Sequence, residues 1–553
     1  MTHGTGRGGG SAPPGGAAAP SRRQWLGLVT VSLGVALIVV DITIVNVILA
    51  PIIDDLDTTS VQAQWVQESY AISFAALLLV TGRLTDLCGA RRVLLAGLAV
   101  FGLTSIAAAL APGGGPLVLA RFVQGVGGAL VLPSSLALVN AHFTGRARGR
   151  AFAVWGSTIG AAAAVGPLLG GWLAGLSWRW AFGMNVPVVV LVAFGVLSCL
   201  PASPRSEGRV DAPSGVLSAV ALGSLAFALI EGRTHGWLLT TAPFEVAGWS
   251  WSSGPSPAGV AFLVSGLAVL VFWRRQRALL RHAEEPLTDV RLFAIPSFRN
   301  GNVVTLVVGL GEFGILAVLP LWLQFALGHT AFEAGLFLAV IAVGSLLASG
   351  ASFSTSASPL ALVRLGLAAE VLGLVALGLT ASVDTGWWVI ASCLFGYGIG
   401  VGFATAQVTN IALVDVPERS VGQGSGIQGA ARELGAALGI AVLTTLFFTA
   451  MTSGLRDRLR AQGLPPPEAE GLSSAVTESA GASVPVLAGD LRTAEAGRAA
   501  QEAMTAGVEV SGYLCAGLLV LALLATVFVA PKTAAGTARG APAGVAGAAP
   551  DRR

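Results

Sequence analysis

Of the ionisable residues inside long apolar stretches, the clearest cases are Asp41, Arg121, Glu312 and Glu370. A charge near the centre of a bilayer costs at least about 2.5 to 3.5 kcal/mol, so such a residue has either a partner or a task. Asp41 lies 9 residues before Ala50, about 13 Å below that end of its helix at 1.5 Å per residue. Arg121 follows Pro116 by 5 residues on a helix that runs the other way, about 7 Å below the same end. An arginine side chain closes a gap of roughly 6 Å, so the two share one depth. The chemistry open to them is proton exchange or cation binding at Asp41, with Arg121 setting its affinity. A permanent ion pair that fixes helix packing is the competing reading, and Thr43 and Asn46 in the DITIVN segment could satisfy Asp41 locally.

Glu312 lies 12 residues into its span, near mid-membrane, where an apolar helix offers it no local reason to exist. It reads as a cavity-facing carboxylate for a proton or a substrate. For Glu370, with Arg364 two turns away, a structural pair or a snorkelling contact is an equal expectation. Glu68, near the end of its own span, reads as solvated, as do His142 and His282 beside the loops.

The elements that must hold these residues are membrane helices. Of 553 residues, 54% are hydrophobic and 11% charged, and the mean hydropathy is +0.76. A water-soluble fold this apolar could not cover itself, whereas a spanning helix needs only about 20 apolar residues in a row. The formal charge of +3 is scattered, which excludes a nucleic-acid footprint. Cys88, Cys199, Cys393 and Cys515 are far apart and predict neither a disulfide framework nor a metal site. No P-loop, HExxH or nucleophile elbow occurs in the loops, so no enzyme is expected.

Apolar segments from about 25 to 530 number fourteen, one of them at 151 to 174. Most of the 32 basic residues fall on one side of the alternating loops, and the short loops of the other side keep only Arg179 and Arg233. That bias puts both termini in the cytoplasm and requires an even number of spans. The chain divides into a disordered tail at 1–22, a six-helix bundle at 23–200, two linker helices and a connector at 201–299, a second six-helix bundle at 300–531 and a tail at 532–553. The fold expected is an all-α integral membrane protein of two six-helix bundles plus two extra helices. Those two extra spans have no deducible task and are expected at the periphery. The outer loop between them, with Trp237, Trp249 and Trp251, reads as interfacial anchoring. The long outer loop at about 450–510 is Ala, Gly, Glu and Ser-rich and promises no domain.

Three motifs order the first half. GRLTDLCGARRVL, 82 to 94, contains Gly82, Arg83, Asp86, Gly89, Arg91 and Arg92. Its glycines permit a tight turn, and Asp86 can cap a helix or pair with Arg91 or Arg92. LVLARFVQGVGGAL puts Arg121, Gln124 and Gly128 along one helical side. In GSTIGAAAAVGPLLGGWL, the Gly166–Pro167 pair softens the helix, and Gly166, Gly170 and Gly171 give a small-residue face for close packing.

In this order and spacing the motifs resemble the major facilitator superfamily, specifically its fourteen-span drug:proton antiporters. Segment 82 to 94 looks like the superfamily's loop signature, 117 to 129 like its span-four signature, and 166 to 171 like the antiporter signature GPxxGG. LIVVDITIVNVILAPI, WRWAFGMNVP and GQGSGIQGAARELGAALGIAVL resemble further segments of the subgroup, so the likeness covers residues 22 to 531. The resemblance implies the major facilitator fold and export driven by the proton gradient with no cofactor. It implies a coupling carboxylate at Asp41 with Arg121 as its partner, an inner-gate latch at Asp86 and Arg91, and a seal against leak at Gly166 and Pro167. It also implies a monomer in the plasma membrane. Leu87 and Ala90 stand where the family has basic residues, and the loop GASFSTSASPLALVR lacks the aspartate that would repeat the first signature.

These readings converge on proton-coupled efflux by alternating access of a small lipophilic, cationic drug or antibiotic from an apolar cavity between the halves. The alternatives are export of an endogenous metabolite, such as a self-made antibiotic, lipid or siderophore, and, remotely, a membrane sensor that transports nothing.

Overall fold

A computed structural model describes residues 20–528, apart from 59, 204, 247, 248, 283, 356 and 491. Most of both tails expected from the sequence therefore lies outside the described residues.

The first half comprises α1 (Arg22–Leu56), α2 (Ser60–Cys88), α3 (Ala90–Ala109), α4 (Gly114–His142), α5 (Gly145–Ala174), the short α6 (Arg179–Gly183) and α7 (Asn185–Cys199). Two helices, α8 (Ala212–His235) and α9 (Pro257–Arg281), flank a small hairpin of β1 (Phe244–Val246) and β2 (Trp249–Trp251). The second half comprises α10 (Pro296–Leu321), α11 (Ala331–Ser354), α12 (Pro359–Thr380), α13 (Trp387–Leu413), α14 (Val421–Ala461), the short α15 (Pro466–Glu478) and α16 (Val484–Gly489), and α17 (Ala494–Ala525). Helix starts carry their own signals: Ser21 with Gln24 and Thr330 with Glu333 form capping boxes, and Asp211, Ser256 and Ser358 cap helices that open with proline near the first position.

Thirteen helices among the described residues are long and apolar enough to cross a membrane, with α6 and α7 counting together as Arg179–Cys199. The span expected at 151 to 174 lies on α5, which is 30 residues long and so about 45 Å, but is not among the thirteen.

Helix pairing repeats between the halves. In the first, α1 packs on α5, α2 on α4, and α3 on α4; in the second, α10 packs on α14, α11 on α13, and α12 on α13. Residue by residue the halves look little alike, yet their helix order and partners are the same. Across the middle, α2 meets α14 and α5 meets α11.

Two expectations are corrected. Helix α8 is not peripheral: it packs on both α2 and α14, at the junction of the halves. The stretch at about 450–510, which promised no domain, packs as a folded cap. Helix α14 runs 41 residues, about 60 Å, and its far end packs with α15, α16 and the first turns of α17. Leu455, Leu459, Val476, Val484 and Met504 are buried there in the same core as the second half. Small apolar residues spread over several short helices produce no long period, which is why the cap was invisible to pattern reading.

Candidate functional site

A cavity of about 440 Å³ lies between the halves, walled by α1, α2, α4 and α5 on one side and by α10 and α14 on the other. Ala226, Leu229, Ile230 and Arg233 of α8 complete the wall. Most of the lining is apolar; the charged exceptions are Glu68, Arg121, Arg233, Arg432 and Glu433.

Asp41 and Arg121 meet, as their depths require. Both are 0% exposed and form an ion pair. Arg121 also donates to Gln124 Oε1 (2.8 Å) and to the Val66 carbonyl (3.1 Å). Asp41 Oδ1 accepts from Asn185 Nδ2 (2.7 Å) and Gln124 Nε2 (3.1 Å), and both amides also reach Ser105 Oγ. The guanidinium lies 4.4 Å from the Tyr70 ring centroid. One cation and two neutral amides, from α4 and α7, thus hold the carboxylate, and α2 and α3 supply acceptors to those donors in turn, the arrangement that makes a buried charge tolerable. Arg121 borders the cavity, while Asp41 sits behind it. The local alternative does not hold for Thr43, whose hydroxyl donates to the Val39 and Val40 carbonyls; the side chain of Asn46 lies outside the described residues.

In the second half Glu312 pairs with Arg432 Nη2 at 3.2 Å, both buried. Arg432 and the adjacent Glu433, both on the cavity wall, were missed as site residues although they stand in the quoted RELG segment. The signal was present: two adjacent charges inside an apolar helix. Glu370 is 0% exposed, and neither of its oxygens has a hydrogen-bond partner. The pairing with Arg364 is not made, because Arg364 donates to Thr526 Oγ1 (3.0 Å) and to the Thr526 carbonyl (3.3 Å). Glu370 does not line the cavity; its side chain is wedged against Gly400 of α13.

The end of the bundle that bears the arginine-rich loops is closed. Asp86 Oδ1 and Oδ2 accept from the backbone N–H groups of Gly422 (2.6 Å) and Gln423 (2.9 Å). The first turn of a helix has unsatisfied N–H groups and a partial positive charge, so a carboxylate from the opposite half acts as its cap. Helices α2 and α14 touch backbone to backbone there: a Cβ on Gly82 would lie 2.7 Å from the Gly422 carbonyl oxygen. Gly89 carries the turn into α3 at φ 88°. Arg83 pairs with Glu285 of the connector. Arg91 does not reach Asp86; it donates to the Leu197 carbonyl (2.9 Å) and ties α3 to the end of α7. Arg92 is exposed.

A Cβ on Gly166 would fall 1.8 Å from Thr43 Oγ1, so this glycine is what lets α5 close on α1 beside Asp41. Gly170 is buried, Gly171 faces open space, and the side chain of Pro167 lies outside the described residues.

The family model described as Major Facilitator Superfamily matches residues 31–440. The chain is 33% identical over 427 residues to the methylenomycin A resistance protein of Streptomyces coelicolor, covering 75% of this chain and 84% of that protein. It is 34% identical over 454 residues to the puromycin resistance protein of Streptomyces alboniger, covering 79% and 84%. Among solved structures it resembles the human organic anion transporter MFSD10 with a TM-score of 0.58 at 13% identity, covering 91% of this chain and 99% of that one.

Proposed function

The chain belongs to the major facilitator superfamily, and from that premise we propose that it exports lipophilic, cationic drugs or antibiotics in exchange for protons by alternating access. The observation that carries this reading is the Asp41–Arg121 pair, held behind the wall of an apolar cavity by five helices. In this reading a proton arriving at Asp41 removes the charge that Arg121 answers. The guanidinium then turns toward the cavity, and the network loosens its hold on α1 and α4. Arg432 and Glu312 form a second buried pair in the other half, and Glu433 offers the cavity a carboxylate for a cationic substrate.

By the arginine bias the closed end is cytoplasmic, so this shape faces outward with Asp86 latched on α14. The return stroke requires Asp86 to leave Gly422 and Gln423. The driving force is adequate: about 2.3 kcal/mol per charge per 100 mV, plus about 1.4 kcal/mol per pH unit. The protein works as a monomer in the plasma membrane with both termini inside. The experiment is Asp41→Asn in inverted vesicles: proton-coupled efflux is lost while the protein stays folded, and unimpaired antiport removes the assignment.

A further inference from the structure

Helix α8 brings a chain of titratable groups to the mouth of the cavity. Glu231, 5% exposed, stands on α8 where that helix packs against α2, and the carboxyl of Glu68 on α2 faces it as a like charge. Glu68 lines the cavity, and its Oε2 is buried without a donor. One turn beyond Glu231, His235 Nε2 lies 3.2 Å from Glu231 Oε2, while Nδ1 donates to the Ala242 carbonyl at 3.2 Å. The imidazole stands edge-on to Phe244 of the hairpin, centroids 5.1 Å apart. Phe227 of α8 packs between Phe244 and Trp65, at 5.7 and 6.3 Å. Two acids and an imidazole therefore run in series from the cavity to the outer hairpin through an aromatic setting.

Among the described residues, no guanidinium is paired with either acid. Arg233, the neighbour on α8, lies 5.0 Å from the Phe448 ring centroid. Arg121 of α4 is held by Asp41, and Arg432 of α14 by Glu312, with Glu433 beside it. The arginines of α9 stand at its far end, from Arg274 to Arg281. Two carboxylates facing each other in an apolar wall cannot both keep a charge cheaply, which makes the pair a place where a proton can be handed on.

We propose that Glu68, Glu231 and His235 form a second proton-exchange site at the cavity mouth, assembled by the inserted helix. His235, protonated from the outer side, passes its Nε2 proton to the Glu231 carboxylate and returns to neutral imidazole. The proton moves on to Glu68, which releases it once the cavity faces the other way. This rests on the export reading above and adds one proton to the one at Asp41.

The test is the ratio of protons to substrate in proteoliposomes, read from the proton gradient at which flux of the cationic dye ethidium reverses. E231Q and E68Q each lower that ratio by one while dye is still carried, and H235Q slows exchange without changing the ratio. Should E231Q fail to insert, E68Q reads the same pair from α2. An unchanged ratio in the glutamine variants overturns the proposal, and an unchanged rate in H235Q removes the relay. D41N reports separately: unimpaired antiport there removes the Asp41 assignment, whereas a D41N defect beside unchanged ratios in E231Q and E68Q removes the α8 site alone.

Discussion

Asp86 of the first half closes on the backbone N–H of Gly422 in the second, 2.6 Å away, so that one carboxylate caps a helix 336 residues further along the chain. The contact joins the two bundles at the arginine-rich end, and it has to break whenever the cavity opens there.

Asp86→Asn keeps the shape and loses the charge that the first turn of α14 attracts. A cap of this kind is worth about 1 kcal/mol, so the balance moves roughly fivefold toward the state open at the arginine-rich end. Spin labels on the loops at the two ends of the cavity read the two populations by their distance distributions. An unchanged distribution would mean that the glycine contact of Gly82 and Gly422 holds this end unaided.

Removing Arg121 alone leaves the Asp41 charge buried. Arg121→Gln therefore destabilises by about 3 to 5 kcal/mol, whereas the double variant with Asp41→Asn, which removes both charges, destabilises less. Thermal unfolding in detergent separates the two cases.

Gly166→Ala drives a methyl group onto the Thr43 hydroxyl and costs about 1 to 3 kcal/mol. Adding Thr43→Ala recovers most of the loss, because the colliding atom is gone. A double-mutant cycle on melting temperature measures the coupling; simple additivity would mean that α1 and α5 shift apart instead.

Glu370 makes no hydrogen bond, so its removal deletes none. Glu370→Leu is stabilised by about 1 to 3 kcal/mol, the desolvation cost of a buried polar group. A lower melting temperature in this variant contradicts that account.

Asp211 caps α8 and is gripped by Arg275 of α9 through both oxygens at 2.8 Å; Arg275 holds its carboxyl down at about 2. Because the folded value is depressed, the contact contributes stability above the unfolded value of about 3.9. That contribution is lost as pH falls through about 2. Melting temperature against pH shows this step in the native chain, and Asp211→Asn removes it.

Asp41 and Arg121 were found from numbering alone, because the bilayer imposes helices and a fixed rise turns sequence position into depth. Helix order, the arginine bias and the loop motifs were legible for the same reason. Depth says nothing about which way a helix is turned about its axis, however, and every remaining partner depended on that rotation. Asp86 could as well have met Arg91 as the start of α14. Glu370 was matched with Arg364 two turns away, yet they point to different neighbours. Glu312 waited for Arg432, 120 residues on. Helix α8 was expected at the periphery because its contact with α2 and α14 leaves no mark in its own composition. Local chemistry and the membrane thus set which residues lie at which level, and only the packing of the two halves decided which of them meet.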